Sequence, residues 1–252
     1  MIHVVKPFAW ICLSFFITFP LSLFAKTVLL SNKFVKLSEA VPDVYGVQRY
    51  ATANNFLNRP VVGYQHGDIY CTLKAAKALA KVNSNLNKLG YGLLVYDAYR
   101  PQRAVDSFIA WSQSAGDQLG KSHYYPSLPK QDLFDLGYLL KKSGHSRGST
   151  IDLTLIPLTK SPTAIQYTTR VLSNGERIPY LDDGSVDMGS SFDLFHPVSH
   201  FNSQLITPQQ ASMRQLLRDN MLAAGFNGIE EEWWHYTLAK EPYPDRYFDF
   251  IT

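Results

Sequence analysis

Three short stretches of this 252-residue chain gather side chains able to do chemistry. The first runs from Ser143 to Asp152 (SGHSRGSTID) and carries His145 in a Gly/Ser-rich loop with Asp152 seven residues further on. A neutral imidazole and a carboxylate are suitable ligands for a first-row metal. Taken alone, a loop His beside a strand Asp is more often a surface hydrogen-bonded pair. The second stretch is Glu230 to His235 (EEEWWH). A carboxylate against a dry indole wall has reason to hold a raised pKa and act as a base; the plain alternative is an acidic loop before a core strand. Glu232 and His235 would face opposite sides of a regular strand, so a shared site requires Glu232 in a turn and His235 on the strand after it. The third stretch, Tyr96 to Pro101 (YDAYRP), offers Arg100 as a permanent cation. Arg100 is either a donor to a developing oxyanion or half of a structural ion pair with Asp97 or Asp106.

Together the stretches say more than each does alone. His145, Asp152 and His235 make three N/O ligands with a fourth position left for water, the count of a catalytic zinc site. Glu232 supplies a base for that water and Arg100 a cation for the oxyanion, which completes a mechanism for hydrolysing an amide.

These residues must be held by elements, and the hydrophobic spacing predicts them. Leu73, Ala76, Leu79, Val82, Leu86 and Leu89 recur at helical intervals, with Gly90 as the stop. Tyr91–Asp97 reads as a short buried strand, and Pro101 stands where the next helix begins, ahead of Val105, Phe108 and Trp111. Ile151–Ile156 alternates as a half-buried strand. Thr207-Pro208 opens a helix that runs to Gly225. Residues 27–70 read as an irregular entry segment. Asn174-Gly175 marks a hairpin turn within a Pro/Ser/Thr-rich stretch, and residues 233–238 read as a strand. The expected fold is α+β: a small, mainly antiparallel sheet packed against helices, with the zinc site at the sheet edge.

Composition excludes several alternatives. With 46% hydrophobic residues the chain can bury a core and is neither disordered nor collagen-like. A net charge of +3 without a Lys/Arg run gives no phosphate track, so no nucleic-acid partner is expected. Two cysteines, Cys12 and Cys71, make no disulfide framework. Residues 1–25 carry Lys6, an apolar run, and Leu23 and Ala25 at the −3 and −1 positions of a cleavage site. They read as a signal peptide, the alternative being an uncleaved anchor. The mature protein would be an exported domain, 26–252, without stable membrane association once the leader is cleaved.

The chain resembles the D-alanyl-D-alanine dipeptidases, zinc peptidases of the type found in vancomycin-resistance systems. The resemblance rests on YGLLVYDAYRPQRAV (91–105), SGHSRGSTIDLTL (143–155), MGSSFD (188–193) and EEWWHYTLAKEPYPDRYFDF (231–250), with a weaker match at 50–64. It implies one zinc ion per chain on His145, Asp152 and His235, Glu232 as general base, and Arg100 as stabiliser of the tetrahedral intermediate. It further implies that Asp193, helped by Tyr50, accepts the ammonium of a small dipeptide substrate, D-Ala-D-Ala. Ser143 and Tyr64 would lie near the substrate's carboxylate. A zinc D,D-carboxypeptidase or endopeptidase acting on wall stem peptides would share these ligands, and a catalytically silent zinc-containing binding module would keep them without turnover. Two departures stand out: a longer segment at 158–187, expected as a surface hairpin or a roof over the cavity, and the leader. An exported enzyme would meet dipeptides released from peptidoglycan, which points to wall turnover in place of drug resistance.

Overall fold

The protein was analysed as a computed structural model that describes residue 1 and residues 34–252. The leader and its cleavage site lie outside the described residues. The fold is α+β. Nine strands are described: β1 (Phe34–Lys36), β2 (Tyr45–Gly46), β3 (Tyr70–Thr72), β4 (Tyr91–Asp97), β5 (Thr150–Pro157), β6 (Gln166–Val171), β7 (Arg177–Asp182), β8 (Phe226–Gly228) and β9 (His235–Leu238). Five of them form one sheet in the order β2-β4-β5-β9-β8, antiparallel except for the β2–β4 pair. The helices are α1 (Leu37–Ala40), α2 (Leu73–Asn87), α3 (Gln102–Gln113), α4 (Lys121–Tyr124) and α5 (Pro208–Ala223). Among the described residues no helix is long and apolar enough to cross a membrane.

Each long helix forms where its ends are satisfied. The Thr72 hydroxyl accepts from the Ala75 N–H and caps α2, while Gly90, at φ +85°, turns the chain out after it. Ala76, Leu79, Val82 and Leu86 are buried along one stripe, but Leu73 and Leu89, expected on it, are 36% and 57% exposed. Leu73 is the first residue of the helix and Leu89 lies beyond its last. A full capping box, Thr207 with Gln210, starts α5. The two helices pack together, α2 on β4 and α5 on β8 and β5.

The segment from 158 to 187 contains the β6–β7 hairpin, with Asn174-Gly175 in its turn and Gly175 at φ +87°. Most of β6 is exposed. Cys71 is fully buried, and burial pushes its thiol up to about 12, so it is inert. Residues 241–250 strap the outside of the site. Arg147 pairs with Glu241, the Phe248 N–H donates to the Ser146 carbonyl, and Arg103 pairs with Asp249. Phe34 packs edge-on against Phe248 and Phe250 of the strap. Gly148, at φ +82°, lies so close to the Phe34 ring that no side chain fits there.

Arg214 on α5 is 1% exposed and donates to the carbonyls of Met188 (2.7 Å), Val198 (2.8 Å) and His200 (2.6 Å), stapling the irregular segment 188–200 to the helix. Arg214→Met leaves the buried carbonyls of Met188 and Val198 without a donor, while that of His200 keeps the Ser203 N–H. Thermal unfolding should show a loss of about 3 kcal/mol, or roughly 6–12 °C in Tm.

Candidate metal centre

Strand register assembles the site. Asp97 pairs with Asp152, and Asp152 with His235, so the last residue of β4, the third of β5 and the first of β9 stand side by side. A register shift between Val95 and Asp97 brings Asp97 into this row. The expected edge site therefore lies where strands end, on the sheet's central strand, and not along an outer strand. His145 reaches the same row from a short turn, Gly144–Arg147, where the Ser143 hydroxyl accepts the His145 N–H at 3.3 Å. At Gly144 a side chain would collide with Thr150.

The ring of His145 is oriented by its Nδ1–H, which donates to the Ala98 carbonyl at 2.7 Å and leaves the Nε2 lone pair toward the cleft. That Nε2 lies 3.2 Å from Asp152 Oδ2 and 3.4 Å from His235 Nδ1. His235 Nδ1 lies 3.1 Å from Asp152 Oδ1, yet Oδ1 is buried without a hydrogen-bond donor, because that contact is not aligned as a hydrogen bond. Ligand atoms on tetrahedral bonds of about 2.0 Å stand about 3.3 Å apart. The three separations, the bare Nε2 and the orphaned carboxylate oxygen all fit a first-row divalent metal. It is the one such cluster among the described residues.

Glu232 precedes a turn through Trp233 and Trp234, closed by the His235 N–H on the Glu232 carbonyl at 3.3 Å. Its Oε2 comes within 3.6 Å of His235 Nδ1. The turn that a shared site requires is thus present, with both indoles buried beneath it. Arg100 makes the ion pair that one of its readings expects, with Asp97 and not Asp106. Its Nε donates to Asp97 Oδ2 at 2.9 Å, while Nη2 faces the cleft, 3.4 Å from Asp152 Oδ2 and 3.5 Å from the Tyr50 hydroxyl. Tyr50 donates to Asp193 Oδ2 at 2.9 Å. Asp193 has φ +61°, a left-handed backbone that Asp tolerates better than most residues, and this aims the carboxylate inward.

These groups line a cleft of about 510 Å³, shared with Tyr138, Leu139, Leu140, Phe195 and Ile229. Ser143 is on its wall. Tyr64 is not: its hydroxyl donates to Asp97 Oδ1 at 3.0 Å, behind Arg100. The hairpin contributes nothing to the lining. Sequence reasoning missed the apolar wall at 138–140 and 229, where ordinary loop residues carry no spacing signal. It also missed Gln48, whose amide donates to Asp97 Oδ1 at 3.2 Å.

The electrostatics are lopsided. Burial, then the charges of Asp152 and Asp193, hold Glu232 well above the usual carboxylate range. Burial, then Asp152, pushes Asp193 up to about 8 despite Arg100. Burial would raise Asp152 too, but His145 and His235 hold it below its ordinary value. The His235 imidazole is held down by burial, against the pull of Asp152. A divalent cation among these groups would favour every ionised carboxylate.

Comparison with known proteins follows the same residues. The profile of peptidase family M15, described as D-Ala-D-Ala dipeptidase, matches residues 30–162 and 176–252. The unmatched residues 163–175 cover β6 and most of the hairpin turn. A D-alanyl-D-alanine dipeptidase of Streptomyces coelicolor is 39% identical over 221 residues, covering 88% of this chain and 98% of its own. One from Enterococcus faecalis is 40% identical over 222 residues, covering 88% and 98%. One from Escherichia coli is 30% identical over 227 residues, covering 88% and 95%.

Equilibrium dialysis against zinc tests the centre without reference to turnover. Wild-type protein should take up one ion per chain. Asp152→Asn should weaken binding by more than the roughly tenfold that loss of an outer-shell partner costs, whereas Tyr64→Phe should leave the affinity unchanged.

Proposed function

Because this chain belongs to the D-Ala-D-Ala dipeptidase family of peptidases, we propose that it hydrolyses D-alanyl-D-alanine to two D-alanines at one zinc ion held by His145, Asp152 and His235. The observation that carries this reading is that a base, a cation and three converging ligand atoms open onto one cleft. Zinc bound there supplies a Lewis acid for the scissile carbonyl and lowers the pKa of water.

The protein's own groups do the rest. Glu232, beside His235 and backed by Trp233 and Trp234, takes the proton of the attacking water and returns it to the leaving amine. The Arg100 guanidinium, fixed at Nε by Asp97, turns Nη2 toward the oxyanion as charge develops. Asp193, with the Tyr50 hydroxyl on one oxygen, receives the substrate's ammonium. Ser143, at the His145 turn, serves the carboxylate end. Tyr64 acts from behind, as a second donor to Asp97.

Asp193 also favours a dipeptide over a wall stem. An ammonium neutralises this buried carboxylate, whereas the amide nitrogen of a longer peptide brings no charge and leaves the burial cost standing. A silent zinc-binding module has no use for Glu232 or for an oriented Arg100. The apolar leader supports export, and with it a role in the turnover of peptidoglycan fragments.

Purified 26–252 should release D-alanine from D-Ala-D-Ala, lose this activity in chelator, and regain it with zinc. Glu232→Gln should keep one zinc per chain while kcat falls about 10³-fold; a fully active variant removes Glu232 from the mechanism. In cells, the full-length product should fractionate outside the cytoplasm at the mass of 26–252, and deleting its gene should leave glycopeptide susceptibility unchanged.

A further inference from the structure

Three consecutive side chains each hold a different buried carboxylate. Gln48 donates to Asp97, Arg49 pairs with Asp183, and Tyr50 donates to Asp193. Gln48 caps a short turn, Arg49–Ala51, that carries the other two, and the turn is placed by the one parallel pairing in the main sheet. Tyr45 is opposite Leu94 and Gly46 opposite Val95, and the Val47 N–H continues onto the Val95 carbonyl. The same register carried two residues further sets Gln48 beside Asp97.

Gln48 is 4% exposed and uses both ends of its amide. Its Nε2 donates to Asp97 Oδ1 at 3.2 Å, and its Oε1 accepts the Tyr50 N–H at 3.3 Å. Asp97 in turn fixes Arg100 through Oδ2. The amide thus joins the two halves of the cleft: the guanidinium over the reacting carbonyl and the Tyr50–Asp193 pair at the ammonium end. An apolar side chain of equal volume would fill the space and hold neither.

We propose that Gln48 is a positioning residue that sets Arg100 through Asp97 and Tyr50 through its backbone N–H. This rests on the dipeptidase reading above. Arg100 is long and reaches the cleft by a single nitrogen, while Phe108 and Tyr50 lie 5.4 and 4.9 Å beneath its charge, contacts that bear its weight without fixing its rotation. The shortest polar contact that fixes the guanidinium is the one to Asp97 at 2.9 Å, with the longer Nη2 contacts to Asp152 (3.4 Å) and the Tyr50 hydroxyl (3.5 Å) beside it, so the direction of the Nη2 donor depends on where Asp97 stands. Asp97 has Gln48 and Tyr64 as its neutral donors on the oxygen away from Arg100.

The experiment is a double-mutant cycle on zinc-loaded 26–252, reading kcat and KM for D-Ala-D-Ala beside Tm and zinc content. Gln48→Met should lower kcat about tenfold and raise KM severalfold at one zinc per chain. In an Asp97→Asn background the same change should lower kcat less than twofold, because the route to Arg100 is already broken. Gln48→Asn, with the same amide on a shorter stem, should give a smaller loss and serves if the Met variant does not accumulate folded. A Gln48 variant with lowered Tm but wild-type kcat and KM overturns the proposal, as does an equal loss of kcat in both backgrounds. Release of D-alanine by the wild type tests the reaction itself, so the two readings fail separately.

Discussion

Four carboxylates and one guanidinium are buried around a single cleft, and the rest of the site follows from that imbalance. Asp97, Asp152, Asp193 and Glu232 are each at most 7% exposed, as is Arg100. Arg100 is directly bonded to Asp97 and Asp152 and leaves Asp193 to a tyrosine hydroxyl. Charges in such surroundings cost several kcal/mol each unless paired. The protein meets part of that cost with oriented neutral donors, from Gln48, Tyr64 and Tyr50. What remains is a surplus of carboxylates over cations facing two imidazoles, an environment in which a bound cation would favour the ionised carboxylates.

The supporting structure is arranged to keep that excess in place. Asp97, Asp152 and His235 are fixed by ladder register, which tolerates no slip without turning their side chains to the other face. His145, Asp193 and Tyr50 come from loops, and each loop is held from behind: the His145 turn by the 241–250 strap, the Asp193 segment by Arg214, the Tyr50 turn by the Arg49–Asp183 pair. Rigid strands supply three of these six side chains and stapled loops the other three.

Much of this was legible in the sequence, for physical reasons that differ by residue. His145, Asp152, Glu232 and His235 could be read because metal and base chemistry restricts residue type and because three-residue spacing on a strand demands a turn, which the Trp233–Trp234 turn provides. The helices could be read from their stripes and caps, and the hairpin from Asn174-Gly175. Resemblance alone pointed to Asp193 and Tyr50, since a loop acid and a turn tyrosine have no periodicity to betray them. Gln48 was hidden because its role depends on a parallel pairing with a strand that comes later in the chain, and β2 itself is two residues long. The resemblance puts Tyr64 near the substrate's carboxylate, whereas its hydroxyl lies against Asp97, a placement that turns on which side of Arg100 the chain passes.

The strap over residues 241–250 has a consequence for the order of events during synthesis. His145 and Asp152 leave the ribosome well before His235, and the segment that braces the His145 turn follows later still. No chain that ends before Phe248 holds all three ligand residues together with that brace. Contacts of such long sequence separation form late in folding. A chain cut before His235 therefore presents at most two of the three ligand residues, and one cut between His235 and the strap presents all three with the His145 turn unbraced.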